Sequence, residues 1–172
     1  FISAAELTKN PMDRYGRNAG ISLELANNEG TKEAKISYHQ SIKPTINNND
    51  AFFEASAART INNWRFFGQM GNVDKNYYTD MGYVQRIDNY DALRDTSIRV
   101  GYKDVYANIT KRIFMKNGKI GRIDFSLENF VVFNADNSFS EYETGLNIKT
   151  DFRNSSGFTL KFNNTNLNLL YP

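Results

Sequence analysis

The sequence predicts an all-β fold, an antiparallel meander of long amphipathic strands, on three observations. Composition favours strands and turns: 14% of the 172 residues are aromatic, including 13 Phe and 10 Tyr, while 23 are Asn and only three are Pro. Aromatic side chains suit a half-buried pleated surface, and Asn suits the turns between such surfaces. Apolar and polar residues alternate over long stretches, which places one kind on each face of a strand. Clusters of Asn, Asp, Ser and Gly separate these stretches, as hairpin turns do.

Taken in order, residues 1–13 carry no clear periodicity, and Ala4-Ala5-Glu6-Leu7 is compatible with one helical turn. Ala19, Ile21, Leu23 and Leu25 alternate with Asn18, Ser22 and Glu24, and Asn27-Asn28-Glu29-Gly30 reads as a turn. Ala34, Ile36, Tyr38, Gln40 and Ile42 alternate with Lys35, Ser37, His39 and Ser41 in the next strand, and Lys43–Asp50 is a polar loop. Phe52–Thr60 and Asn63–Gly71 are two more strands about an Ile61-Asn62 turn. Asn72–Asp95 is a long connection rich in Tyr and Asp. Ser97–Val105 and Ile109–Lys116 are predicted strands, and Asn117-Gly118 is the signal for a two-residue hairpin into a strand from Lys119. From Ile123 the alternation is clearest: Ile123, Phe125, Leu127, Asn129, Val131 and Phe133 against Arg122, Asp124, Ser126 and Glu128. After the turn Asn134–Ser138, Tyr142, Thr144, Leu146, Ile148, Thr150 and Phe152 alternate with Glu143, Gly145, Asn147, Lys149, Asp151 and Arg153. Asn154-Ser155-Ser156-Gly157 turns the chain into a strand with Phe158, Leu160 and Phe162 on one face and Thr159, Lys161 and Asn163 on the other.

Strand length decides between architectures. Gly121–Phe133 covers 13 residues, about 43 Å when extended. Tilted by about 40°, such a strand still rises about 33 Å, enough to cross a bilayer core, whereas strands of globular proteins run to about 5–6 residues. The longest fully apolar run, Phe130–Phe133, is far short of the roughly 20 residues of a membrane helix. The meander is therefore expected to form part of a larger transmembrane β-barrel, closed so that no long edge stays unpaired. On this reading Arg122, Asp124, Glu128, Glu143, Asn147, Lys149, Asp151, Arg153 and Lys161 face a lumen. Ile123, Phe125, Leu127, Leu146, Ile148, Phe152, Phe158, Leu160 and Phe162 face lipid. Aromatic residues near strand ends (Tyr77 and Tyr78, Tyr102 and Tyr106, Phe133 and Phe139, Tyr142, Tyr171) suit the membrane interface, as does Trp64. The alternative is a soluble β-barrel or sandwich that binds a ligand or carbohydrate, with Ile123, Phe125, Leu127, Leu146, Ile148 and Phe152 in its core.

Charge and residue inventory exclude several function classes. With 21 basic and 19 acidic residues the net charge is +2, too little for an electrostatic nucleic-acid partner. No Cys and a single His, His39, remove disulfides, thiolate metal sites and every design needing two histidines. Phe1-Ile2-Ser3-Ala4-Ala5 lacks the basic start and apolar core of a signal peptide, and the chain stops abruptly at Tyr171-Pro172, so it is expected to be a mature fragment or part of a longer protein.

The segment Asn72-Val73-Asp74-Lys75-Asn76-Tyr77-Tyr78-Thr79-Asp80-Met81-Gly82-Tyr83-Val84-Gln85-Arg86 resembles a signature of the DUF5916 family, the C-terminal outer-membrane β-barrel of Bacteroidetes proteins that carry an N-terminal family 9 carbohydrate-binding-like domain. The matching positions are Asn76, Tyr77, Gly82, Tyr83, Val84 and Arg86, with Tyr83 in place of Phe. Tyr78-Thr79-Asp80 replaces the family's Asn-Pro-Glu core, so the turn has no proline. Tyr15–Leu23 resembles the family's first-strand motif, and Trp64 and the hairpin Ile120–Arg153 also fit. The resemblance implies that the chain, 1–172, is an internal segment of a single outer-membrane β-barrel domain, located in the bacterial outer membrane in contact with lipid and lipopolysaccharide. It also implies partners among outer-membrane or periplasmic proteins, and a role as a channel, ligand-handling protein or complex scaffold linked to carbohydrate binding.

Candidate chemistry is sparse. Asp74, Asp80, Asp88, Asp91 and Asp95, with Asn72, Asn76 and Asn89, place oxygen ligands on one connection, but no Asp-x-Asp-x-Asp-Gly loop is present and local turn bonds explain them. Glu128 and Glu143 are a carboxylate pair of the kind glycosidases use, yet lumenal pairing with Arg122, Lys149 or Arg153 is the simpler expectation. His39 is expected to hydrogen-bond within the lumen. Gly68-Gln69-Met70-Gly71 is no phosphate loop, its glycines instead relieving strand curvature. The three Asn-x-Ser/Thr sequons at 108, 154 and 163 are chance products of an Asn-rich chain. No catalytic residue, metal or cofactor is expected.

Overall fold

The computed structural model describes residues 2–7, 16–42, 51–78, 88–91 and 94–168, and among them it is all-β with no helix. The strands are β1 (Ile2–Leu7), β2 (Gly16–Ala26), β3 (Lys32–Ile42), β4 (Ala51–Ile61), β5 (Trp64–Val73), β6 (Asp88–Asp91), β7 (Thr96–Arg99), β8 (Tyr102–Phe114), β9 (Ile120–Asn134), β10 (Phe139–Phe152) and β11 (Gly157–Leu167). Nine of them form one sheet in the order β1-β2-β3-β4-β5-β8-β9-β10-β11, every neighbour antiparallel, while β6 and β7 pair with each other. The nine-stranded sheet is an open meander: β1 and β11 lie at its two edges.

The register carries the alternation of one strand into the next. Leu127 stands opposite Ile109 on one side and Leu146 on the other, and Leu146 stands opposite Phe162. Phe125, Ile148 and Leu160 form the next row. Opposite side chains share a face, so one face is mainly apolar and the other mainly polar, though Lys32, Arg59, Lys103 and Lys111 lie on the first and Phe52, Phe67, Val73 and Val132 on the second. Exposure then differs in an unexpected sense. On the apolar face Ile21 is 62% and Phe162 60% exposed, whereas on the polar face Ser37 is 3% and Asp124 9% exposed. Of 22 exposed large hydrophobic residues, all but Phe114 and Leu167 lie on the apolar face. In a single layer, curvature produces this difference: side chains inside a bend crowd together and those outside splay apart. The polar face is the concave one.

A meander alternates its connections between two ends. At one end run the connections 8–15, 43–50, 74–101 and 135–138; at the other lie 27–31, 62–63, 115–119 and 153–156. The long connections are thus gathered at one end, hereafter the long-loop end, and the other is the short-turn end. Asn62 and Asn63 both have positive φ, 46° and 67°, the combination that fits a two-residue hairpin to the twist of its strands. Asn27 caps its own turn, its side-chain oxygen accepting from the Thr31 and Lys32 amides at 2.9 and 2.8 Å. The turns at 135–138 and 153–156 repeat one device: Asp136 accepts from the Ser138 amide and hydroxyl, and Asn154 from those of Ser156.

Four local expectations are corrected. Ala4–Leu7 is strand, not a helical turn, because β1 pairs with β2 from Ile2↔Ile21 to Leu7↔Gly16 and so satisfies a backbone that four residues of helix could not. Ser97–Val105 and Ile109–Lys116 are not two strands of one kind. The chain breaks at Val100-Gly101, and β8 then runs unbroken from Tyr102 to Phe114. Gly101 permits the break, since a Cβ there would lie 2.8 Å from the Lys75 nitrogen and the Val73 oxygen. Asn117-Gly118 lies within a five-residue loop, 115–119, with Gly118 at φ 93°, rather than a two-residue hairpin. Arg153 explains the larger loop: its guanidinium donates to the carbonyls of Gly118, Met115 and Lys116 at 3.0, 2.7 and 2.8 Å. The β4–β5 turn is Asn62-Asn63, one residue later than Ile61-Asn62, because two consecutive left-handed positions suit Asn and not a β-branched Ile.

Replacing Asn63 by Val is expected to destabilise the fold by about 1–2 kcal/mol, the cost of a β-branched residue in the left-handed region. Asn63→Gly is expected to be close to neutral. Equilibrium unfolding in denaturant reads both.

Candidate functional site

Among the described residues, most charged groups that pair across strands lie on the polar concave face. Cross-strand pairing fixes which side chains share a level. At the level of His39, Phe52, Val73 and Tyr102 the wall is largely uncharged. The next level toward the short-turn end holds Ser22, Ser37, Glu54, Gly71, Asp104, Val132 and Glu141. Two further levels add Glu24, Lys35 and Glu143, then Glu33, Phe67 and Glu128. Beyond them come Arg65 and Lys161, then Arg112, Asp124 and Lys149, and finally Arg122 and Asp151. The wall is segregated by sign. Toward the long-loop end seven carboxylates meet one ammonium, and toward the short-turn end five cations meet two carboxylates.

Most ion pairs stay within one half, but Arg65 crosses the division to reach Glu33 at 3.9 Å. Lys35 lies 3.9 Å from Glu24 and 3.6 Å from Glu54, and Gln69 donates to Glu54 at 3.3 Å. Arg122 reaches Asp151 at 2.5 Å and Asp124 at 3.4 Å, Arg112 reaches Asp124 at 3.8 Å, and Lys149 reaches Asp151 at 3.5 Å. Shielded polar atoms at Ser22 Oγ, Arg112 Nε, Asp124 Oδ1 and Asn147 Oδ1 make no protein hydrogen bond. Small side chains at Ser56 and Ala58 open a groove of about 380 Å³ beside Glu24, Glu33, Lys35 and Phe67.

Two inward glycines make room for polar side chains that lie flat on the wall. A Cβ on Gly20 would collide with the His39 imidazole, and one on Gly71 with the Asp104 carboxylate. The curvature role expected of Gly68-Gln69-Met70-Gly71 is thus divided: Gly71 accommodates Asp104, while Gly68 faces open space. His39 packs beside Phe52, ring centroids 5.8 Å apart.

At the long-loop end the chain after β5 turns onto the concave face. Tyr77 is 5% and Val73 2% exposed, and Phe52 and Tyr102 pack against them. The Asp74 amide donates to the Ala51 carbonyl at 2.9 Å, and the Ala51 amide to Asp74 Oδ2 at 3.2 Å. The Tyr78 amide donates to Ser41 Oγ at 3.2 Å, and Asn18 Nδ2 to the Tyr78 carbonyl at 2.8 Å. Residues 74–78 therefore cross from β5 over β4 to β3 and β2. Arg99 on β7 braces this crossing: its guanidinium donates to the Tyr77 carbonyl at 2.6 Å and lies 5.6 Å from the Tyr78 ring centre.

The residues singled out in the sequence fall as follows. Arg122, Asp124, Glu128, Glu143, Asn147, Lys149, Asp151 and Lys161 share the concave face. Arg153 stands apart from them, in the turn after β10, where its guanidinium holds the 115–119 loop. Ile123, Phe125, Leu127, Leu146, Ile148, Phe158, Leu160 and Phe162 share the convex face. Phe152 packs on Phe158 there, 6.1 Å between ring centroids. Glu128 and Glu143 are not paired with cations as expected. Asn147 donates to Glu128, and Asn163 to Glu143 at 3.0 Å, because the register sets amides beside them. Of the aromatic residues placed at an interface, Tyr77 instead lies buried on the concave face, and Tyr102 and Tyr106 share that face. Tyr171, Gly82, Tyr83, Val84, Arg86 and Asp80 lie outside the described residues. No group of acidic or histidine side chains that could hold a metal is present among the described residues.

No family model matches the chain, and no curated protein or solved structure is similar to it.

Burial pushes the Tyr77 phenol above its ordinary range. A raised value means that the folded state favours the protonated ring. The stabilisation is whole below the ordinary tyrosine range and is lost as pH rises through the raised value. Amide exchange at Asp74 and Tyr77 is expected to accelerate in alkali beyond the intrinsic rate increase, and Tyr77→Phe is expected to abolish that extra sensitivity.

Proposed function

We propose that this chain is a non-enzymatic part of a bacterial outer-membrane β-barrel, with its convex face against lipid and its concave face lining a water-filled passage. The observation that carries the reading is where the exposed hydrocarbon lies: among the described residues, 20 of 22 exposed large hydrophobic side chains are on the convex face, while the cross-strand ion pairs lie on the concave one. Fully burying a large apolar side chain is worth about 1.5–3 kcal/mol. Even at half that each, removing the exposed convex residues from water is worth on the order of 20 kcal/mol. Such a face needs a cover, and among the described residues no second protein layer supplies one. Lipid covers it at no cost to the polar face, which a soluble sandwich would have to turn outward.

Two further features support the reading. Trp64 sits on the convex face at the short-turn end, with the Lys111 ammonium 4.7 Å from its ring centre and Phe66 stacked beside it at 6.3 Å, a grouping suited to the boundary between headgroup and hydrocarbon. Long connections at one end and short turns at the other match barrels whose loops face outward and whose turns face the periplasm. The long-loop end is then extracellular. Long unpaired edges invite aggregation, so the edges β1 and β11 are where closing strands pair. The resemblance to DUF5916-type barrels points the same way and adds a link to carbohydrate binding and to envelope partners. Asn76 and Tyr77 are its two motif positions within the described residues.

Trp64 is the only tryptophan, so it reports without mutation of other positions. In vesicles containing brominated phospholipid its fluorescence is expected to be quenched, most strongly by bromine near the headgroup. Emission indifferent to bromine, from protein recovered in buffer without detergent, would contradict the barrel and favour the soluble ligand-binding module.

A further inference from the structure

We infer that the convex face carries its hydrocarbon as an oblique belt, so that the strands cross the bilayer tilted by about 30°, and that Lys32, Arg59 and Lys111 line the lower border of this belt, facing phospholipid phosphates of the periplasmic leaflet. The inference rests on the barrel reading and deepens it: it says where the membrane begins and ends on each strand, and which lipid atoms the border meets.

Residues that stand opposite one another form rows perpendicular to the strands. Hydrocarbon does not follow these rows. One row of the convex face holds Leu25, Ala34 and Ala57 on β2 to β4, but Asn129, Thr144 and Asn164 on β9 to β11. The next row toward the short-turn end changes in the opposite sense. It holds Lys32 and Arg59 on β3 and β4, but Leu127, Leu146 and Phe162 on β9 to β11. If the strands stood upright in a membrane, each row would lie at one depth, and no row could be apolar on one side and polar or charged on the other.

The slope follows from the register. Ile21, Leu23 and Leu25 are exposed on β2, and Phe162, Leu160 and Phe158 on β11. The second trio lies three rows nearer the short-turn end than the first. Three rows are six residues, about 20 Å along a strand, and the steps from β2 to β11 span about 34 Å. The belt therefore slopes by about 30° to the rows, close to the strand tilt of about 35–45° in transmembrane barrels. A face shaped for a protein partner is under no such constraint. Apolar residues outside the belt, such as Ile42, Ile61 and Phe133, stand near strand ends.

The convex charges follow the same line. Lys32 and Arg59 sit below the belt on β3 and β4, and Lys111 one row lower on β8, over the Trp64 ring. Lys103 lies above it, in the row of Ile21, and donates to Asn137 in the turn after β9. Lys32 and Arg59 are exposed, and among the described residues neither meets a carboxylate. Long cationic side chains at the edge of an apolar surface lay their stems on hydrocarbon and extend their heads to the interface. Phospholipid phosphates are the anions that such heads meet there.

The test uses single nitroxide labels on the full-length protein in phospholipid vesicles, with depth read from collision with oxygen against a water-soluble nickel complex. Ala57→Cys and Asn164→Cys share one row, and Ile61→Cys and Leu160→Cys another. Labels at 57 and 160 are expected deep in hydrocarbon, and those at 61 and 164 at the headgroups. Polarised infrared dichroism of oriented bilayers is expected to give strands tilted by about 30–45°. Lys32→Gln with Arg59→Gln is expected to bring the preference of the surrounding lipid shell for spin-labelled phosphatidylglycerol over phosphatidylcholine toward unity. Equal depths within each row, upright strands, or a lipid preference that survives the double substitution would overturn this inference and leave the barrel reading standing. All four labels open to the nickel complex, on protein that never enters the vesicles, would overturn both.

Discussion

A single curved sheet cannot treat its two faces alike, and every other feature of this chain answers to that constraint. The inside of the curve carries Ser, Gly, Asn and charged groups that pair across strands, together with a small apolar cluster about Val73 and Tyr77. The outside offers area without cover and carries Ile, Leu, Phe and Val. Backbone groups of the interior strands are satisfied within the ladder whichever medium lies outside. What remains to be met is the apolar face, whose large side chains stay 36–62% exposed among the described residues.

The ends of the sheet differ as much as its faces. Tight turns at one end rely on local devices: left-handed Asn62 and Asn63, the Asn27 and Asn154 side chains, and the three carbonyls gathered by Arg153. The other end carries the long connections, and one of them turns inward instead of out. Tyr77 makes that turn stable by entering a small apolar site on an otherwise polar wall.

Much of the architecture is legible in the alternation itself. The periods of Ile123–Phe133 and Tyr142–Phe152 identify two faces and predict which residues share each, and the Asn-rich clusters mark most of the turns. Three things were not legible, for physical reasons. β1 has almost no alternation and becomes a strand because β2 offers it hydrogen bonds. The crossing of residues 74–78 over β4 to β3 and β2 depends on bonds between residues 60 and 37 positions apart, to which local pattern is blind. The segregation of charge depends on register: Glu54, Asp104 and Glu141 share a level only once β4 through β10 are aligned. Tyr77 illustrates the limit. Its position near a strand end suggests an interfacial ring, and only the turn that follows Val73 shows that it is buried.

The orientation of β9 tests the whole proposal most directly, and the absence of native cysteine makes it simple to measure. Single cysteines placed in turn at residues 123 to 128, in the full-length protein reconstituted in vesicles, would be challenged with a water-soluble, membrane-impermeant maleimide. Labelling at 124, 126 and 128 with protection at 123, 125 and 127 is the predicted pattern. Labelling without alternation, or labelling of the odd positions alone, would contradict a sheet whose hydrocarbon faces lipid and whose charges face water.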